Sequence, residues 1–115
     1  MYNIGYDIGS SSVKVAIVEA KTGKNIISLF EPANEMGIIA YHKDWAEQDP
    51  EIWWEYCCIA TKRAIKEANI DTSKITGVGI SYQMHGLVVV DKEGNSLRNA
   101  IIWCDSRAVA IGDHA

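Results

Sequence analysis

Two apolar, β-branched runs, Tyr2–Ile8 and Val13–Glu19, flank the polar stretch Gly9, Ser10, Ser11 and Ser12, the pattern of two strands joined by a tight turn. A second turn at Lys21, Thr22, Gly23 and Lys24 leads into Asn25–Phe30, so the chain opens on three consecutive antiparallel strands. After a mixed, loop-like segment, Asp49, Pro50 and Glu51 supply an N-cap, a proline at the first helical position and an acid in the first turn. In the helix that follows, Trp54, Cys57, Thr61, Ala64, Ile65 and Ala68 recur at spacings of three and four, with Glu55, Lys62, Arg63, Lys66 and Glu67 on the other side. That stripe predicts one face packed on a sheet. Ile75–Ser81 reads as a buried strand whose Gly77 and Gly79 permit close packing. Val88–Asp91 reads as a further strand, turned by Lys92–Asn95 and followed by the apolar run Ala100–Trp103. Periodicity alone supports a mixed α/β domain.

Composition narrows the class. In 115 residues there is room for one domain with a core, and not for two lobes closing on two substrates. A net charge of −4 lacks the basic field that binding a phosphate backbone requires, which sets nucleic acid aside as a partner. The three cysteines, Cys57, Cys58 and Cys104, suit neither a disulfide framework nor a zinc site. The first residues have no basic region or long apolar core, and no stretch is able to span a bilayer, so no membrane partner is expected and the default compartment is the cytoplasm.

Three clusters carry candidate chemistry. Asp7 ends a strand, and Gly9, Ser10, Ser11 and Lys14 follow. Backbone N–H groups and hydroxyls of such a turn can donate to phosphate oxygens, and the acid can hold Mg²⁺ directly or through water. The P-loop spacing G-x-x-x-x-G-K-[ST] is absent, so this is either a hairpin-type phosphate site or a polar turn. Gln83, Met84, His85 and Gly86 lie just beyond the strand Ile75–Ser81, where α/β sheets present ligand loops; they serve either as polyol contacts or as ordinary loop residues. Trp103, Asp105 and Arg107 alternate, offering either an aromatic wall with a charge pair for a sugar or a core tryptophan with a structural ion pair.

Taken in order, YNIGYDIGSSSVKVAIVE, WAEQDPEIWW, GISYQMHGLVVVD and AIIWCDSRA resemble the amino-terminal region of the FGGY carbohydrate kinases over essentially the whole chain. The resemblance implies the ribonuclease H-like, actin-like ATPase fold, with a β-β-β-α-β opening and a mixed sheet. It also implies that residues 1–115 are part of the family's N-terminal domain, with the rest of that domain and the C-terminal domain absent. By the same likeness Asp7 serves Mg-ATP, Gly9, Ser10, Ser11 and Lys14 contact phosphate, and Met84, His85, Trp103 and Asp105 face the sugar, with Gln83 beside them as a candidate substrate contact from its own chemistry. The Met-His-Gly tripeptide looks most like that of xylulokinases, so the implied reaction is ATP-dependent phosphorylation of a ketopentose, D-xylulose to D-xylulose 5-phosphate. Gluconate or another sugar of the family is the nearest alternative, and a non-catalytic sugar- or phosphate-binding module is a second. The resemblance places the general-base aspartate and the adenosine site downstream of Ala115, so the isolated chain is expected to be inactive. A homodimer of the complete enzyme is compatible with it.

Overall fold

The computed structural model describes residues 1–115. In chain order the elements are β1 (Tyr2–Ile8), β2 (Val13–Glu19), β3 (Asn25–Glu31), β4 (Glu47–Gln48), α1 (Pro50–Ala68), a 3₁₀ turn (Thr72–Lys74), β5 (Ile75–Tyr82), β6 (Ala100–Ile101) and α2 (Val109–Gly112). A four-stranded mixed sheet runs β3-β2-β1-β5, with β1–β2 and β2–β3 antiparallel and β1–β5 parallel. The expected β-β-β-α-β opening is therefore present. β4 and β6 make a separate antiparallel pair.

Alternation in β2 sets the main core. Val13, Val15 and Ile17 are buried while Lys14 is exposed, as a strand with one covered face requires. Helix α1 lies mainly over β2 and β3. Ala60 and Ala64, both without exposed surface, bring it close to Ile4, Val15, Ile17 and Leu29. The helix begins as its sequence dictates, with the Asp49 carboxylate accepting the Glu51 N–H at 3.0 Å and Pro50 in the first turn. It ends on Asn69 in the left-handed conformation, φ 50°, which an asparagine tolerates.

Several expectations need correction. β5 forms where predicted but is not buried, because it is the sheet edge and α1 sits over the far strands; Val78, Ile80 and Tyr82 are exposed. Gly79, expected to admit a close neighbour, faces open space, whereas Gly77 does have one, since an added Cβ would lie 2.8 Å from Asn3 Oδ1. The same offset shifts the helix stripe. Cys57, Ala60 and Ala64 are its buried residues, whereas Trp54 is 69% exposed at the rim of a groove shared with Tyr6, Val78 and Ile80. Val88–Asp91 forms no continuous strand, making one isolated bridge, Val90–Ser96, and the run Ala100–Trp103 contributes just two strand residues. The core is also thin. Only 14 of 115 residues are buried, and the radius of gyration of 17.0 Å exceeds the ~13 Å usual for a domain of about this length.

Candidate functional site

The hairpin between β1 and β2 builds the first part of the site. Asp7 stands directly opposite Lys14 in the antiparallel register, with Lys14 Nζ 3.3 Å from Asp7 Oδ2 and both side chains at least half exposed. Between them Gly9 N–H donates to the Ser12 carbonyl at 3.0 Å. A Cβ on Gly9 would lie 3.2 Å from that oxygen, which accounts for glycine in so tight a turn.

Two anchors orient the turn from behind. Gln48 Nε2 donates to the Ser10 carbonyl at 2.6 Å, and Met36 N–H donates to the Ser11 carbonyl at 2.8 Å. Across a trans peptide the N–H points opposite to the carbonyl, so the Ser11 and Ser12 N–H groups are turned away from these anchors. Neither makes a backbone hydrogen bond. Outward N–H groups beside a carboxylate and an ammonium are suited to a phosphate. No cluster of three metal-ligating side chains exists. The residues therefore fit Mg²⁺ only as an ion shared with phosphate oxygens, the mode in which one carboxylate suffices.

The second part follows β5. Gln83 N–H donates to the Ile8 carbonyl at 2.9 Å, and Leu87 and Ile101 exchange hydrogen bonds at 2.8 and 3.0 Å, so residues 83–86 are pinned at both ends. Within that span His85 has φ 65°, a left-handed conformation uncommon among side-chain-bearing residues, though histidine is among those that adopt it more often. The loop lines a hollow of about 470 Å³ together with Ile8, Trp53 and Tyr82. Both amide atoms of the Gln83 side chain are buried without a partner. Such groups carry a desolvation cost that a ligand hydroxyl can relieve.

Trp103 and Asp105 part company. Trp103 is 58% exposed and its indole N–H donates to the Ser10 hydroxyl at 3.2 Å, so the aromatic ring touches the turn that follows Asp7. The Asp105 side chain is 3% exposed. Its carboxylate accepts the Ala46 N–H at 2.7 Å, the Arg107 N–H at 2.9 Å and the Arg107 guanidinium at 2.7–3.0 Å. Asp105 thus sits behind the wall, not on its surface. Of the two readings of this cluster, the exposed aromatic face holds for Trp103 and the structural ion pair for Asp105 and Arg107.

Residues that sequence reasoning passed over complete this support. The buried Glu47 carboxylate takes Arg98 at 2.6 Å and Arg107 at 2.8 Å, and the Arg107 guanidinium lies 3.8 Å from the Trp45 ring centre. Hydrogen bonds from Arg107 hold both Glu47 and Asp105 below the usual carboxylate range, outweighing the opposing effect of burial. Asp105 in turn raises the Arg107 guanidinium further. Gln48, with no exposed surface, donates to Ser10 and to the Gly37 carbonyl and accepts the Trp53 indole N–H at 3.0 Å. The signal was the segment WAEQD itself, where a polar pair stands between Trp45 and the helix cap with no loop role assigned.

The three clusters therefore converge at the C-terminal ends of the parallel strands β1 and β5, where open α/β sheets bind ligands. Residues 2–115 match the model of the N-terminal domain of the FGGY family of carbohydrate kinases, and the chain belongs to that family. Its fold is accordingly the actin-like ATPase fold, in the form of a fragment of the N-terminal domain. A xylulose kinase of Staphylococcus xylosus is 40% identical over 107 residues, covering 92% of this chain and 21% of that protein. The crystal structure of a xyloylose kinase from Brucella ovis superposes with a TM-score of 0.90 at 30% identity, over 99% of this chain and 23% of the other. That of a gluconate kinase from Lactobacillus acidophilus does so with 0.87 at 27% identity, over 99% and 22%. The chain spans about a fifth of the length of these relatives.

Proposed function

We propose that the full-length protein transfers the γ-phosphoryl group of ATP to a hydroxyl of a ketopentose, with D-xylulose as the substrate. The observation that carries this reading is the 3.2 Å bond between Trp103 and Ser10, which joins an exposed indole to the turn after Asp7 and so supports a polyol wall beside a phosphate site. Phosphoryl transfer depends on positioning and charge stabilisation, and the two halves of that task meet here. The names of the relatives support the pentose.

In this reading the Ser11 and Ser12 N–H groups and the Ser10 hydroxyl, shaped by Gly9, receive phosphate oxygens, and Lys14 adds positive charge. Asp7 would hold Mg²⁺, which when bound with ATP would neutralise charge on the phosphates. Met84 and the Trp103 indole cover the apolar C–H side of the polyol, while Gln83 and His85 exchange hydrogen bonds with its hydroxyls. Asp105 contributes through the loop that carries Trp103. The base that takes the hydroxyl proton is assigned to an aspartate outside these 115 residues.

Sugar-dependent ADP formation by the full-length protein tests the assignment across D-xylulose, D-gluconate and glycerol. The highest kcat/KM is expected for D-xylulose. A preference for gluconate moves the protein to the family's other branch, and binding without ADP formation makes it a non-catalytic module.

A further inference from the structure

Gln48 touches neither the exposed turn N–H groups nor the hollow, yet it bonds to the frame of both. Its side chain has no exposed surface. One amide hydrogen goes to the Ser10 carbonyl at 2.6 Å, the other to the Gly37 carbonyl at 3.2 Å, and the amide oxygen takes the Trp53 indole N–H at 3.0 Å. Ser10 belongs to the phosphate turn and Trp53 lines the hollow beside Met84 and His85.

We propose that Gln48 is a positioning residue that sets the phosphate turn and the wall of the polyol hollow in register with one another. The inference rests on the kinase reading of the site. A primary amide suits this position because it donates twice in one plane and accepts on the other side. Gln48 is the hydrogen-bond partner of both carbonyls and of the indole. Fixing the Ser10 carbonyl aims the Ser11 N–H outward through the rigid peptide plane, while fixing the Trp53 indole sets the floor of the hollow. A small misplacement of either is enough to slow transfer severely. The neighbouring ion pairs hold β4 and β6 in place, whereas Gln48 bonds at once to the turn and to a residue that lines the hollow.

Two variants of the full-length protein separate the arms. Gln48→Met keeps the length and removes all three bonds. Trp53→Phe keeps an aromatic ring in the hollow and leaves both of Gln48's donor bonds intact. Calorimetric affinities for MgADP and D-xylulose are measured alongside kcat, both KM values and the melting temperature. For Gln48→Met the expected result is kcat at least about tenfold lower, with both affinities weakened severalfold. For Trp53→Phe, D-xylulose affinity should weaken severalfold and MgADP affinity stay within about twofold. If Gln48→Met does not fold, Trp53→Phe decides alone. Lower melting temperatures with both affinities and kcat unchanged would make Gln48 a packing residue and overturn the proposal. So would equal losses of both affinities in Trp53→Phe. If the unaltered protein phosphorylates no polyol, the kinase reading fails by itself, and the positioning role is then judged on whether Gln48→Met weakens MgADP binding.

Discussion

The Trp103 indole donates its only hydrogen bond to the Ser10 hydroxyl at 3.2 Å, joining residues 93 positions apart across the end of the sheet. It depends on the β4–β6 pair, since Ile102 N–H donates to the Ala46 carbonyl at 3.0 Å immediately before Trp103. The ring is therefore held at its base and leaves a face free for a ligand. Trp103→Ala in the full-length protein should raise the KM for sugar by roughly ten- to a hundredfold, the range for losing about 1–3 kcal/mol of contact. Trp103→Phe, which keeps the ring and loses the bond to Ser10, should raise it less and lower kcat. Steady-state kinetics of the pair checks both statements, and equal effects would mean that the ring face contributes nothing.

The role proposed for Asp7 is at the Mg-phosphate end and not at the sugar. Its only side-chain partner is Lys14 at 3.3 Å, in an exposed pair whose own contribution to stability is small. Asp7→Asn should lower kcat on the order of a hundredfold or more, with the KM for sugar and the melting temperature little changed. A variant with near-normal kcat would reduce Asp7 to a turn residue.

Asp105 and Glu47 predict an acid limit to stability. Both have folded-state values below their ordinary ones. The stabilisation is therefore present above the unfolded-state values near pH 4 and is lost as pH falls through the lower folded-state values. The melting temperature should drop progressively below about pH 4. Asp105→Asn should destabilise at neutral pH by on the order of 3 kcal/mol, because Arg107 loses its main partner, and should flatten that acid limb. Thermal melts across pH 2.5–7 (about 1 unit apart or finer) resolve the two effects. An unchanged acid limb in the variant would show that the pair does not govern it.

Local rules made much of the fold legible. The apolar runs fixed β1 to β3, the Asp49-Pro50-Glu51 start fixed α1, and the glycine and hydroxyl residues after Asp7 marked the turn. Burial was less legible, because it depends on which element lies opposite. Val78, Ile80 and Trp54 have the side chains of covered positions, but α1 lies over β2 and β3 and leaves them open. In the site, alternation put Trp103, Asp105 and Arg107 together at a strand end, but β6 stops at Ile101, and Trp103 is exposed while the Asp105 side chain is buried. Alternation could not show that the Asp105 carboxylate would turn inward to Ala46, 59 positions away. Glu47 and Gln48 escaped for the same reason. Their partners, Arg98, Arg107 and Ser10, lie at separations that no local pattern encodes.

The most direct test of the central claim, that residues 83–86 form the sugar side of a phosphoryl-transfer site, is the pair of Michaelis constants for His85→Ala in the full-length protein. His85 has φ 65° in a loop pinned at both ends, so the direction in which its side chain leaves the backbone is set by the loop. Removing a hydrogen-bonding group from such a site costs about 1–3 kcal/mol. The account predicts a roughly ten- to a hundredfold rise in the KM for D-xylulose with the KM for ATP nearly unchanged. A parallel rise in both constants with a lower melting temperature would make His85 a structural loop residue. A collapse of kcat with sugar affinity intact would make it the base, contradicting the assignment of that role to an aspartate elsewhere.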